Sequence, residues 1–532
     1  MLFQDGAQIS VSTSNQGTGG NITITAPDSV TIQGQGTITT STTGSGNAGN
    51  ITLDTSTLTI AEGAQLFAFT EGSGDSGTIT VNAPTAVNLG IGVEDFSPVL
   101  SVETRDAGQA GSIIINTPSL TLSDTASITA TATSTATNTE GGGSITLNAS
   151  NMNLAGVVGV FAETEGQTPA GTLTLQPYEN QSTLNLTLAP GAEVFASTSG
   201  SGKGGNLIVR APAAITIQGP GQLAVQTTGD GAAGELTIDT QRLTITDGAT
   251  ISASTSSANP EGTGGSIIIN ATESFNLSNQ ASLSAQSSGG AAAGSVTLNT
   301  PNLTATNGAI ATFSEKSSGG DITITASNIR LFGNSDITTR VNEGEGRGGD
   351  IDLEADSILA FDDSDILAFA PGGTGGNITL LTPAFFGENY RPAPRNTNPD
   401  PLDGNGRVGV NASGTVNGGI IEPDVSFIQN SLTELPSNQI DTDSLLANSC
   451  IVRRHQPTQG SFTITGTGGL PQRPGDAQMS SFPTVDIETL PSDSTPSNTS
   501  PNRPWQKGDP IVEPQGVYRL PNGNLVMSRE CS

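Results

Sequence analysis

Gly20-Asn21-Ile22-Thr23-Ile24, Gly49-Asn50-Ile51-Thr52-Leu53 and Gly376-Asn377-Ile378-Thr379-Leu380 are three copies of one phrase. It reads glycine, a small or polar residue, an aliphatic residue, usually Thr, then a second aliphatic residue. Thirteen copies begin at Gly20, Gly49, Gly77, Gly111, Gly143, Gly171, Gly205, Gly234, Gly265, Gly294, Gly320, Gly349 and Gly376, at intervals of 26 to 34 residues. Self-similarity at a period of about 20 to 50 residues marks a repeat architecture, and it takes precedence over local propensity.

The position two after the glycine is Ile, Leu or Val in every copy, and so is the position two further on. Apolar residues spaced by two around a polar β-branched residue describe a strand with one buried face. Six residues after the glycine the side chain is small in twelve copies, as in Ala26, Thr55, Ala83 and Thr117. A Pro or polar residue usually follows, which suits a corner. Two weaker strands complete each unit, Val30-Thr31-Ile32 and Gly36-Thr37-Ile38-Thr39-Thr40 in the first. A stretch such as Gly44-Ser45-Gly46-Asn47-Ala48 then returns the chain to the next phrase.

Three short strands and three corners per unit make one coil of an all-β, right-handed parallel β-helix of about 13 to 14 coils. No unit has apolar residues at helical spacing, so leucine-rich and ankyrin-like solenoids are excluded. Rungs about 4.8 Å apart give a rod roughly 60 Å long, with aliphatic columns inside and Thr columns outside. The composition, with 13% charged and 4% aromatic residues, is that of many disordered chains. Two aliphatic columns unbroken through thirteen copies argue against disorder.

The formal net charge of −31, from 49 acidic and 18 basic residues, disfavours nucleic acid and anionic membranes as partners. No apolar run approaches the length of a transmembrane helix. Met1-Leu2-Phe3-Gln4-Asp5 lacks the basic and apolar regions of a secretory signal. Gly6-Ala7-Gln8-Ile9-Ser10-Val11-Ser12 instead resembles the third strands of later units, such as Gly63-Ala64-Gln65-Leu66. The chain is therefore expected to begin in mid-coil, as the C-terminal portion of a longer protein or of a split reading frame.

Three regions are expected. Residues 1–385 form the β-helix. Residues 386–426 hold a Pro-rich irregular insertion and a degenerate last coil, in which Gly406-Arg407-Val408-Gly409-Val410-Asn411-Ala412 restores the phrase 30 residues after Gly376. Residues 427–532 form a C-terminal module with a Pro/Ser/Thr-rich linker from Pro471 to Pro504 and a hairpin over Gln515–Val526 around Pro-Asn-Gly. Cys450 and Cys531 are the only cysteines. Paired in an exported protein, they would close a loop worth about 4–5 kcal/mol in the chain-entropy model. Two unpaired thiols remain the alternative.

Candidates for chemistry are few. Asp350, Asp352, Glu354 and Asp356 alternate along one strand, with Asp362, Asp363 and Asp365 following, Arg347 near, and Asp321 one coil earlier. A polysaccharide-cleaving β-helix needs clustered carboxylates and a base in a groove. A solvated acidic face explains the same pattern. His455, the only histidine, lies beside Arg453 and Arg454 and reads as solvated. The Gly-Gly-x-Gly-x-Asp calcium nonapeptide, zinc spacing and a phosphate loop are all missing. No catalytic, cofactor-binding or metal-binding residue is assigned from the sequence, and no cofactor is expected.

The repeats resemble those of filamentous-haemagglutinin-like exoproteins of two-partner secretion. The segments Pro423-Asp424-Val425-Ser426-Phe427-Ile428-Gln429-Asn430-Ser431-Leu432, Asn448-Ser449-Cys450-Ile451-Val452-Arg453-Arg454, Gly460-Ser461-Phe462-Thr463-Ile464, Pro504-Trp505-Gln506 and Ser528-Arg529-Glu530-Cys531 are similar to the cyanobacterial members. The resemblance implies a non-enzymatic, adhesin-like rod at the cell surface or secreted. It also implies export through an outer-membrane β-barrel transporter, and surface glycans as partners. The family's N-terminal secretion domain and signal peptide have no counterpart here, so this chain expressed alone is expected to stay in the cell. A β-helical polysaccharide-degrading enzyme and a remnant of a split gene are the alternatives.

Overall fold

The computed structural model of the chain describes residues 1–90, 97–139, 141–179, 181–259, 263–390, 401–423, 487–489, 516–519 and 525–528. Every regular element among them is a β-strand. Parallel strands stack as a β-solenoid of about thirteen coils, and the phrase sets the register. Ile22 pairs with Ile51, Ile51 with Ile79 and Ile79 with Ile113. The column continues through Ile145, Leu173, Leu207, Leu236, Ile267, Val296, Ile322 and Ile351 to Ile378.

Its side chains point inward. Ile51, Leu53, Ile238 and Ile351 are completely buried, whereas Ile22 and Ile24 in the first full coil keep 6% exposure because they have a neighbour on one side only. Each inward aliphatic contributes about 1.5–3 kcal/mol of apolar burial, several times the value of an outward Thr–Thr contact. The interior columns therefore dominate the stacking energy.

A second ladder runs beside the first, with Val30 on Leu58, Leu58 on Val87, and onward to Ile358 on Phe385. The two were expected to be separated by a corner in every coil. In eight coils they form one continuous strand, such as Ile22–Ile32, Leu236–Thr246 and Ile351–Ala360, and in five they are split, as in Ile79–Asn82 and Ala86–Leu89. The column six after the glycine sits at this bend. Where it is Thr, the hydroxyl donates to the carbonyl two residues on: Thr55 to Thr57 at 3.3 Å, Thr117 to Ser119 at 3.2 Å and Thr240 to Arg242 at 3.2 Å. The local hydrogen bond is made both where the strand runs on through the bend, at Thr55 and Thr240, and where it divides, at Thr117.

The third ladder opens with Gln8–Thr13, pairs it with Thr37–Thr42, and continues to Ile366. The corner before it takes left-handed backbone. Glu62 and Gly63 have φ of 53° and 73°, and Asp247 and Gly248 have 59° and 80°. Asp, Asn and Gly tolerate that region best, which explains the recurring Asp-Gly-Ala and Glu-Gly-Ala. After the third strand a buried hydroxyl ties down the return loop. Thr42 Oγ1 donates to the Gly46 carbonyl at 2.6 Å, Thr70 to that of Gly74 at 2.5 Å and Ser287 to that of Ala291 at 2.6 Å.

The phrase glycine is needed for close approach. A Cβ on Gly49 would overlap the carbonyl of Gly20, one on Gly234 that of Gly205, and one on Gly376 that of Gly349. The same contact recurs between Gly418 and Gly376, and it corrects the expected last coil. Gly406–Ala412 does not re-enter the first ladder: Val410 pairs with Ile366 and Asn411 with Leu367, in the third. The first ladder resumes at Ile420, which pairs with Ile378.

Chain contacts divide the molecule into Met1–Val425 and Ser426–Ser532. In the second unit Gly516–Arg519 pairs antiparallel with Leu525–Ser528, the two arms of the expected hairpin, and parallel with Ile487–Thr489. Cys450, Cys531 and His455 lie outside the described residues.

Candidate functional site

The bend between the first and second ladders leaves an open trough of about 690 Å³ over five successive coils. Its floor is the small-residue column, here Ala271, Thr300, Ala326 and Ala355. One rim is the position just before that column, Asn270, Asn299, Thr325, Glu354 and Leu381. The other is the position just after, Thr272, Pro301, Ser327 and Asp356. No Lys, Arg or His lines it.

At two of its five positions, Asn270 and Asn299, the first rim is held by side-chain amides. Asn270 Nδ2 donates to Asp239 Oδ1 at 2.8 Å, and Asn299 Nδ2 donates to Asn270 Oδ1 at 2.9 Å. The same column in earlier coils forms a longer run: Asn82 on Asp54, Asn116 on Asn82, Asn148 on Asn116 and Gln176 on Asn148, all at 2.7–2.8 Å. In-register stacking brings like amides within bonding distance, and each bond fixes the next rotamer. The rim therefore presents polar groups already ordered before any ligand arrives.

The acidic run separates into four groups. Asp321 and Asp350 follow phrase glycines, and their carboxylates accept backbone N–H groups from the next coil: Asp350 N–H to Asp321 Oδ1 at 2.8 Å and Asn377 N–H to Asp350 Oδ1 at 2.7 Å. Arg347 pairs with Asp350 at 2.5 and 2.8 Å. Asp352 stands exposed on the outer face between Thr323 and Thr379. Glu354 and Asp356 alone reach the trough.

Asp362, Asp363 and Asp365 belong to the corner before the third ladder. Asp362 and Asp363 hold left-handed φ of 52° and 63°. Asp363 Oδ1 accepts the Arg407 N–H at 3.0 Å, Asp365 Oδ1 that of Gly409 at 2.6 Å, and Asp336 Oδ1 that of Asp365 at 2.8 Å. Loss of hydration on burial pushes the Asp365 carboxyl up to about 8 and that of Asp336 up to about 6, and the neighbouring carboxylates add to both shifts. Among the described residues no group of three or more His, Cys, Asp or Glu has the arrangement of a metal site.

The trough is formed not by the acidic strand that stands out in the sequence but by the small column six after the phrase glycines, whose only signal in the sequence is a corner. Comparison with protein-family models, with curated proteins and with solved structures finds no match.

Proposed function

We propose that this chain is the shaft of a non-enzymatic, adhesin-like exoprotein of the two-partner secretion type, working at the cell surface or secreted, and that the bend trough holds surface glycans. The observation that carries the reading is the lining of the trough: the Asn270 and Asn299 amides, several hydroxyls and the Glu354 and Asp356 carboxylates over a floor of small side chains, with no cation among them. Sugar hydroxyls pair with such groups, and a rigid array of equivalent rungs turns weak contacts into avidity. Export through an outer-membrane β-barrel fits a fold whose coils contact only their neighbours, so that the chain can fold by adding rungs. The charge of −31 keeps such rods apart.

The test is a glycan array probed with the purified chain and with Ala326→Trp, which fills the trough floor. Binding to at least one polysaccharide class, lost in the variant with the β-sheet circular dichroism unchanged, is the expected result. Undiminished binding by Ala326→Trp would remove the trough from the account.

Glu354 and Asp356 on opposite rims give the polysaccharide-degrading alternative its one foothold. Reducing-end release from uronate or neutral polysaccharides, abolished by Glu354→Gln or Asp356→Asn, would establish an enzyme in place of a shaft.

A further inference from the structure

Just before its last rung the third ladder carries two stacked acids, an arrangement found nowhere else in that column among the described residues. The position opening each third strand is mostly neutral, as in Gln8, Thr37, Gln65, Ser127 and Thr250. In the last coils it is Asp336 and then Asp365, one above the other. The Asp365 side chain is completely buried. Its Oδ1 accepts the Gly409 N–H that seats the final coil, and its Oδ2 is buried with no partner. The charged groups facing it are all acids: Asp336 from the coil beneath, Asp363 from the adjoining corner and Asp403 from the loop above. Arg407, the cation on that loop, directs its Nε to the Asn389 carbonyl, and Glu388 accepts the Asp362 N–H.

We propose that Asp365 is a protonation latch for the last coil: with a neutral carboxyl it seats residues 408–416 on the third ladder, and on ionising it releases them. In the seated form Oδ1 accepts from Gly409 and Oδ2 carries the proton. On release the proton passes to water and the carboxylate gains hydration. The folded carboxyl titrates near 8 and a free one near 4, so seating is strongest below about pH 4. It weakens as pH rises between the two values and levels off above the higher. Neutral pH thus lies on the slope, where a shift of one unit changes the open fraction.

Hydrogen exchange of the full chain, corrected for intrinsic rates, tests this at the amides of residues 408–416. Protection is expected to fall by up to about tenfold per pH unit between pH 5 and 8 and then to flatten. Asp365→Asn keeps an acceptor for Gly409 and removes the Asp365 proton, so its protection should fall much less steeply than wild type over that range, with only the Asp336 carboxyl beneath it, near 6, still titrating. A flat wild-type profile would overturn the latch, as would an Asp365→Asn profile matching wild type. Recovery of wild-type protection at pH 9 by millimolar calcium would also overturn it, by making the cluster a cation site.

Discussion

Asn21 Oδ1 accepts the backbone N–H of Asn50, one coil further on, at 2.9 Å, and Asn50 Oδ1 accepts that of Thr78 at 2.8 Å. Asn206 does the same for Glu235 at 3.0 Å and Asn377 for Gly419 at 2.9 Å. Where it is Asn, the second letter of the phrase is therefore a staple between rungs. It serves a backbone donor at the entry to the first ladder, and Asp321 and Asp350 use their carboxylates for the same purpose.

Asn50→Ala removes this acceptor and should cost about 1 kcal/mol, read as a shift in urea midpoint at unchanged slope. Asn50→Asp keeps it and should lie close to wild type. Equal losses in both variants would show that the staple carries no weight.

Ile238 and Thr237 are adjacent residues on opposite faces of one strand. Ile238 is completely buried and Thr237 is half-buried on the outer face. Ile238→Asp places an unpaired charge inside and should destabilise by several kcal/mol. Thr237→Asp should cost less than about 1 kcal/mol, despite the Glu235 carboxylate bonded to the Thr237 hydroxyl at 3.1 Å. Thermal unfolding followed by circular dichroism separates the two, and equal tolerance would reverse the in/out assignment.

Two glycines should respond to alanine for different reasons. Gly234→Ala drives a methyl into the Gly205 carbonyl and forces neighbouring rungs apart, a cost of about 1–3 kcal/mol or more. Gly248 has open space around it but a φ of +80°, so its alanine variant meets only backbone strain of about 1–2 kcal/mol. Chemical denaturation of both variants should rank Gly234→Ala as the more damaging.

Thr70→Val leaves the buried carbonyl of Gly74 without its hydroxyl donor and should cost about 1–3 kcal/mol. Thr70→Ser restores the donor and should recover most of the loss. Exchange at the return loop Glu71–Ser76 locates the effect.

The strand columns were legible because their requirement is absolute: an inward position between two rungs takes an aliphatic side chain, and thirteen copies carry one without exception. The glycine opening each copy was equally constant, but that it lets the backbone lie against a carbonyl of the preceding coil is visible only in the structure. The last coil was misread because a loop insertion stretched the interval between Gly376 and Gly418. Gly406–Ala412 then matched the phrase by spacing while pairing in the third ladder. The trough was not legible because concavity comes from what side chains leave empty, and Ala271, Ala326 and Ala355 announce only that they are small. The separate duties of Asp350, Glu354 and Asp365 depend on which face, bend or corner each occupies, which a run of acidic letters does not specify.

The most direct test of in-register stacking is the distance between spin labels in one outward column. Labels at Thr52, Thr174 and Thr297, with Cys450 and Cys531 replaced by Ser, should give narrow distributions near 19 Å for four rungs and near 38 Å for eight, at about 4.8 Å per rung. Broad distributions, or distances that do not double from the first pair to the second, would contradict the solenoid and everything built on it.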